Sequence, residues 1–293
     1  MKNFSIKSTK LSLLAFLLFA ITTNAQNLPN KQDLSLLAPG NIKVDGRAAE
    51  WGGQFAAYNK SMKIFYTVSN SNDNLFLTVQ VTDLEMTQKI MANGLTFTVN
   101  GSTKKNDKQH VAITFPCFKK FDDYQNINSN LAYNPTNFLT DPVAIKKVTD
   151  SLVYAMNNQI ITRSGEFSVT GISMAKDTTI SIDNKSGVKA IGLFENKNTY
   201  TFEVAIPVKY LGANPDKLSY NIKINGATAT KDKNTERRLV VTSSIVAVRA
   251  EDVPAFQQQI ASNNARASAM SSNTDDPIDF WGEYALAKKH PVN

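Results

Sequence analysis

The stretch Met62–Asp83, MKIFYTVSNSNDNLFLTVQVTD, decides the fold class. Two runs, Met62–Asn70 and Asn74–Asp83, alternate apolar with polar residues and are rich in β-branched and aromatic side chains, the pattern of strands. The Asn- and Asp-rich loop between them favours a turn, because those side chains hydrogen-bond their own backbone. The reading is an antiparallel hairpin. Outward from it, Leu84–Gly94 sets Leu84, Met86, Ile90 and Met91 near helical spacing, with Gly94 suited to end the helix. A second hairpin follows, Leu95–Gly101 with His110–Pro116, about a lysine-rich turn. Strand-like runs recur at Glu166–Ser173, Thr178–Asp183, Val188–Asn196, Thr199–Gly212, Leu218–Thr228, Arg237–Ala250 and Asp279–Leu286. About ten short strands with hairpin turns predict an all-β fold, an antiparallel β-sandwich with a few short helices in insertions.

Two segments break the strand rhythm. Pro116–Pro142 is rich in aromatics and asparagines and shows no period, which reads as a long functional loop. It leads into a helix over Val143–Gln159, with Val143, Val148, Leu152 and Met156 on one stripe. The other segment, Glu251–Asp276, is polar and partly helical in pattern. No internal repeat or linker divides the chain. The organisation expected is a signal peptide over 1–25 and one sandwich domain over 26–293, with insertions near 116–158 and 251–276.

The first residues set the compartment. Lys2, Lys7 and Lys10 precede the apolar run Leu11–Ile21, and Thr23-Asn24-Ala25 offers small residues for cleavage before Gln26. That run is too short to span a bilayer, so no membrane span is expected. The chain reads as exported, periplasmic or extracellular. Cys117 is its single cysteine, so no internal disulfide can form and the core must hold the fold. Loss of the three leader lysines lowers the formal charge from +7 to +4. The remaining lysines are scattered, with no arginine-rich stripe, which argues against nucleic acid as a partner.

Four pieces then agree in order. They are IKVDGRAAEW (Ile42–Trp51), read as a strand, an Asp-Gly turn and a buried indole; the hairpin above; TYTFEVAIPVKYLG, with Tyr200, Glu203, Ile206, Pro207 and Leu211; and DFWGEYALA near the end. Together they resemble family 9 carbohydrate-binding modules and their DOMON-like relatives over nearly the whole chain. The resemblance implies a jelly-roll-like β-sandwich, an accessory module that binds sugar and does no chemistry. Some DOMON-like relatives hold haem through methionine, but Cys-x-x-Cys-His is missing here, and Met62, Met86, Met91, Met156 and Met174 have core spacing.

Catalytic constellations are poor. His110 and His290 lack metal-pair spacing, Cys117 reads as a buried small hydrophobe, and Asp122-Asp123 and Asp275-Asp276 read as solvated loop charges. No cofactor is indicated by a motif. Calcium is possible at Asn70–Asn74, where the turn reading is preferred. Sugar binding needs flat apolar faces beside planar polar side chains. Tyr124, Tyr133 and Phe121, with Asn126 and Asn128 between them, are the candidate platform, and Trp281 is the remaining candidate. Trp51 is expected under the sheet, and Trp281 mostly buried in a closing strand that pairs near Ile42–Val44. The function expected is non-catalytic binding of an oligosaccharide or glycan. The alternative is an envelope protein that engages another protein.

Overall fold

In the computed structural model, the hairpin read from Met62–Asp83 lies at the centre of a five-stranded sheet. Residues 28–102, 110–172, 179–212, 217–227 and 276–288 are described. The leader, the strand expected at Arg237–Ala250, the 251–275 segment, Met174 and His290 lie outside them. In chain order the strands are β1 (Ala57–Asn59), β2 (Ile64–Asn70), β3 (Asn74–Val81), β4 (Leu95–Asn100), β5 (His110–Phe115), β6 (Glu166–Thr170), β7 (Thr179–Ser181), β8 (Lys189–Asn196), β9 (Thr199–Pro207), β10 (Lys217–Ile224) and β11 (Ile278–Ala285). Sheet A runs β1-β2-β3-β9-β8 and sheet B runs β11-β10-β4-β5-β6-β7, every named pair antiparallel. The chain is an all-β sandwich.

Period two explains the core. Tyr66, Val68, Leu77, Val79, Phe202 and Val204 of sheet A and Phe97, Ile113, Phe115, Tyr220 and Ile222 of sheet B are buried in one continuous cluster. Rings cross between the layers: Phe115 stacks on Phe202 at 6.3 Å, and the Tyr66 and Tyr220 hydroxyls lie 3.2 Å apart. Tyr220 lies over Gly282, where a Cβ would sit 2.2 Å from the ring. Such burial supplies most of the stability of a chain without disulfides.

Three helices among the described residues close one side of the sandwich. In α1 (Leu84–Asn93) the Asp83 carboxylate accepts from the Met86 N–H, and Gly94 ends the helix at φ +81°, as the spacing predicts. The helix α3 (Pro142–Arg163) starts on an Asp141 cap with proline in its first turn. Its buried stripe is Leu152, Met156 and Ile160, while Val143 is 76% exposed and belongs to the opposite face. The helix expected to end at Gln159 runs on to Arg163.

The sequence reading needs three corrections. The supposed loop after Pro116 contains α2 (Phe121–Ala132), with Tyr124, Ile127 and Leu131 buried against the core. Asparagine is a poor helix former and hides the i, i+3, i+7 rhythm, but packing overrides propensity. Ile42–Val44 is not a strand. Instead residues 39–56 cross the outer face of sheet A. Finally, β11 pairs with β10 in sheet B, so the closing strand and the Ile42–Val44 segment do not share a sheet. The start of the described chain does reach β11: the Tyr284 hydroxyl donates to the Leu36 carbonyl at 2.8 Å.

Candidate functional site

The structure sets the candidate platform residues along α2 and at its C-terminal end. Tyr124 is only 8% exposed and meets Phe121 edge to face at 5.2 Å, so it has no open ring face for a sugar. Asn128 faces α1, where its side-chain amide donates to the Gln88 carbonyl at 3.4 Å. Asn126 is half-buried on the same helix. Tyr133 caps the end of α2 and stacks on Phe138, 5.9 Å apart and nearly parallel, which spends one face of each ring. These five side chains build the helical layer. Trp281 stands apart from them, on β11.

The two tryptophans lie on opposite outer faces. Trp51 follows the Asp45-Gly46 turn in the segment across sheet A, half-buried rather than under the sheet, and its indole N–H donates to Thr78 Oγ1 at 3.1 Å. That segment has no sheet ladder, so its backbone donors need other acceptors. They find outward side chains of sheet A. Glu203 accepts from the Asp45 and Gly46 N–H groups, both at 2.9 Å; Glu195 accepts from Ala48 N–H at 3.2 Å; Thr67 accepts from Ala56 N–H at 3.0 Å. The motif's Asp-Gly turn and its distant glutamate therefore form one clasp. Gly46 has φ +78°, and a Cβ there would meet Leu193 at 2.9 Å, so glycine is required. Burial pushes the Glu203 carboxyl up to about 7, with the nearby Glu50 and Asp45 charges adding to the rise against the two backbone hydrogen bonds.

Sheet B carries a different outer face. Register pairs Trp281 with Asn221, Asp279 with Lys223 and Glu283 with Ser219. All six project away from the core, because Phe280, Tyr284, Tyr220 and Ile222 between them are buried inward. Trp281 is half-buried and flanked on its own strand by the exposed Asp279 and Glu283. The Asn221 amide donates to Asp279 Oδ2 at 2.6 Å and to the Phe280 carbonyl at 3.0 Å, fixing its plane beside the indole. Glu283 pairs with Lys217 at 2.7 Å. An indole beside exposed carboxylates can stack on a pyranose face while the carboxylates meet its hydroxyls; the buried Asn221 amide serves to orient Asp279.

No family model, no curated protein and no solved structure matches the chain. The site therefore rests on its own geometry.

The same face continues toward the end of β10 into a groove of about 510 Å³, bordered by Phe118, Lys119, Thr114, Lys223, Asn225 and Pro277. Its floor is a closed polar network. Thr96 and Thr114 hydroxyls lie 2.7 Å apart, and the Asn225 amide donates to Thr96 Oγ1 at 2.9 Å and to the Asn93 carbonyl at 3.2 Å. Cys117 borders the groove half-buried, its thiol pushed up by burial, which disfavours a nucleophilic thiolate. Among the described residues no three His, Cys, Asp or Glu side chains cluster as a metal site. No helix of the described residues is long and apolar enough to cross a membrane.

Sequence reasoning missed Asn221, Lys223 and the groove. The signal was present: period two in LSYNIKI and DFWGEY sets Ser219, Asn221 and Lys223 on one face and Asp279, Trp281 and Glu283 on one face. Only the β10–β11 pairing, which sequence leaves open, makes those faces the same.

Proposed function

We propose that this chain is an exported, non-catalytic carbohydrate-binding protein of the periplasm or extracellular space, and that it binds an oligosaccharide or glycan on the outer face of sheet B. The observation that carries this reading is Trp281, a half-exposed indole between two carboxylates and beside an oriented asparagine. Stacking supplies affinity and the carboxylates supply orientation. The leader-like N-terminus and the resemblance to family 9 modules support the same reading. The haem alternative loses ground, because Met62, Met86, Met91 and Met156 are core side chains.

A protein-interaction role keeps one observation of its own. Val143 and Tyr154, 76% and 75% exposed, share the outward face of α3 with Lys147.

A glycan-panel screen of the purified protein separates the readings. The expected result is retention of at least one oligosaccharide class, weakened roughly tenfold or more by Trp281→Ala, the scale of one lost aromatic contact. Trp281→Phe keeps a ring in the strand and guards against simple unfolding. A blank panel, with partner capture lost on Tyr154→Ala, would overturn the carbohydrate reading.

A further inference from the structure

Lys223 is half-buried in β10, an interior strand of sheet B, with β11 on one side and β4 on the other. Its cross-strand partners are Thr96 on β4 and Asp279 on β11, so its side chain shares the outward face with polar groups. Opposite charges placed as Lys223 and Asp279 are ordinarily pair. Here they do not. The Asp279 carboxylate accepts from Asn221 at 2.6 Å, and Lys223 makes no ion pair among the described residues. The other cation of the groove, Lys119, is taken by Glu166 at 3.2 Å. Among the described residues, Lys223 is thus the groove ammonium with no carboxylate at ion-pair distance.

What surrounds it narrows the ligand. Phe118 and Pro277 give apolar walls, and the Thr96–Thr114–Asn225 network leaves hydroxyl lone pairs but few unspent donors. The volume of about 510 Å³ falls within the range of small-ligand sites. Lys223 lies two residues along β10 from Asn221, the cross-strand partner of Trp281, a step of roughly 7 Å. One extended ligand can therefore touch both.

Resting on the carbohydrate reading above, we infer that the groove takes the anionic unit of an acidic oligosaccharide, its carboxylate or sulfate paired with Lys223 while a neighbouring sugar stacks on Trp281. Lys223 sets specificity and Trp281 sets affinity. Asp279 works against the anion by proximity.

Calorimetric titration of the purified protein tests this with three probes: a uronic-acid oligosaccharide, its carboxyl-reduced neutral counterpart, and a sulfated oligosaccharide. The expected result is that at least one anionic probe binds roughly tenfold or more tightly than the neutral one, with the preference weakened by added salt. Which anionic probe binds distinguishes carboxylate from sulfate. Lys223→Met, which keeps the apolar stem, should erase the preference and leave the neutral probe's affinity within about twofold. Lys223→Arg should retain the preference, and Lys119→Met should leave it intact, with melting temperature reporting the fold of each variant. Equal affinity for charged and neutral probes, unmoved by Lys223→Met, overturns this inference and leaves the carbohydrate reading standing. Absence of binding by all three probes overturns both.

Discussion

The two outer faces of the sandwich are written in the same alternating pattern and meet opposite fates. On sheet A the outward Thr67, Thr78, Thr201 and Glu203 are all buried, beneath a segment that has no ladder of its own. The oxygens of Glu203 and Thr67 accept from its backbone and that of Thr78 from the Trp51 indole, while Thr201 bonds Glu195. On sheet B the outward Asp279, Trp281, Glu283 and Lys223 keep solvent access, while Ser219 and Asn221 beside them are buried. Alternation thus identifies which face meets the core but says nothing about what covers the other. A polar outward residue becomes structural wherever irregular chain crosses it, because crossing backbone needs acceptors.

The comparison breaks most severely at Glu203. Glu203→Ala removes the acceptor of one buried and one part-buried backbone N–H group, and chemical denaturation should show a loss of about 3 kcal/mol. A loss below about 1 kcal/mol would mean that the clasp contributes little and that sheet A is covered only loosely.

The same carboxyl gives the clasped face a pH signature. Its value rises from 4.5 in the ordinary state to about 7 in the fold. The folded protein therefore holds that proton more tightly, so this contribution to stability is fully present below about 4.5 and is lost as pH rises through about 7. The span is roughly 3 kcal/mol. Glu203→Gln should flatten the stability profile between those values, and an unchanged slope would assign the pH dependence elsewhere.

Smaller effects sharpen the contrast. Trp51→Phe loses one hydrogen bond to Thr78 and should cost about 1 kcal/mol in stability, with ligand affinity unchanged. Glu283→Gln removes a surface pair with Lys217 and should change stability by less than about 0.5 kcal/mol. A larger stability cost at Glu283 than at Trp51, read by the same denaturation curves, would reverse the assignment of the two faces.

Much of the sandwich was legible in the sequence. The β2–β3 and β4–β5 hairpins, α1 with its glycine end, and strands β6 to β11 follow from local period and turn chemistry. What was not legible depends on long-range pairing. Tyr124 looked like a loop aromatic because asparagines interrupt the helical rhythm of α2, and only packing against α1 and α3 shows it to be core. Ile42 and Val44 alternate like a strand but find no strand partner, since the Glu203 carboxylate holds the adjoining turn instead. Lys223 and Asp279 are 56 positions apart in the chain, and only the register of β10 on β11 makes them neighbours.

The chain has two tryptophans, one on each outer face, which makes the central claim directly measurable by intrinsic fluorescence. Trp51→Phe leaves Trp281 as the sole indole, and Trp281→Phe leaves Trp51. Titration of both variants with the oligosaccharide retained in the glycan panel should quench or shift emission in the Trp281-only protein and leave the Trp51-only protein silent. A saturable signal from Trp51, with Trp281 silent, would place the ligand on the clasped face and contradict the account.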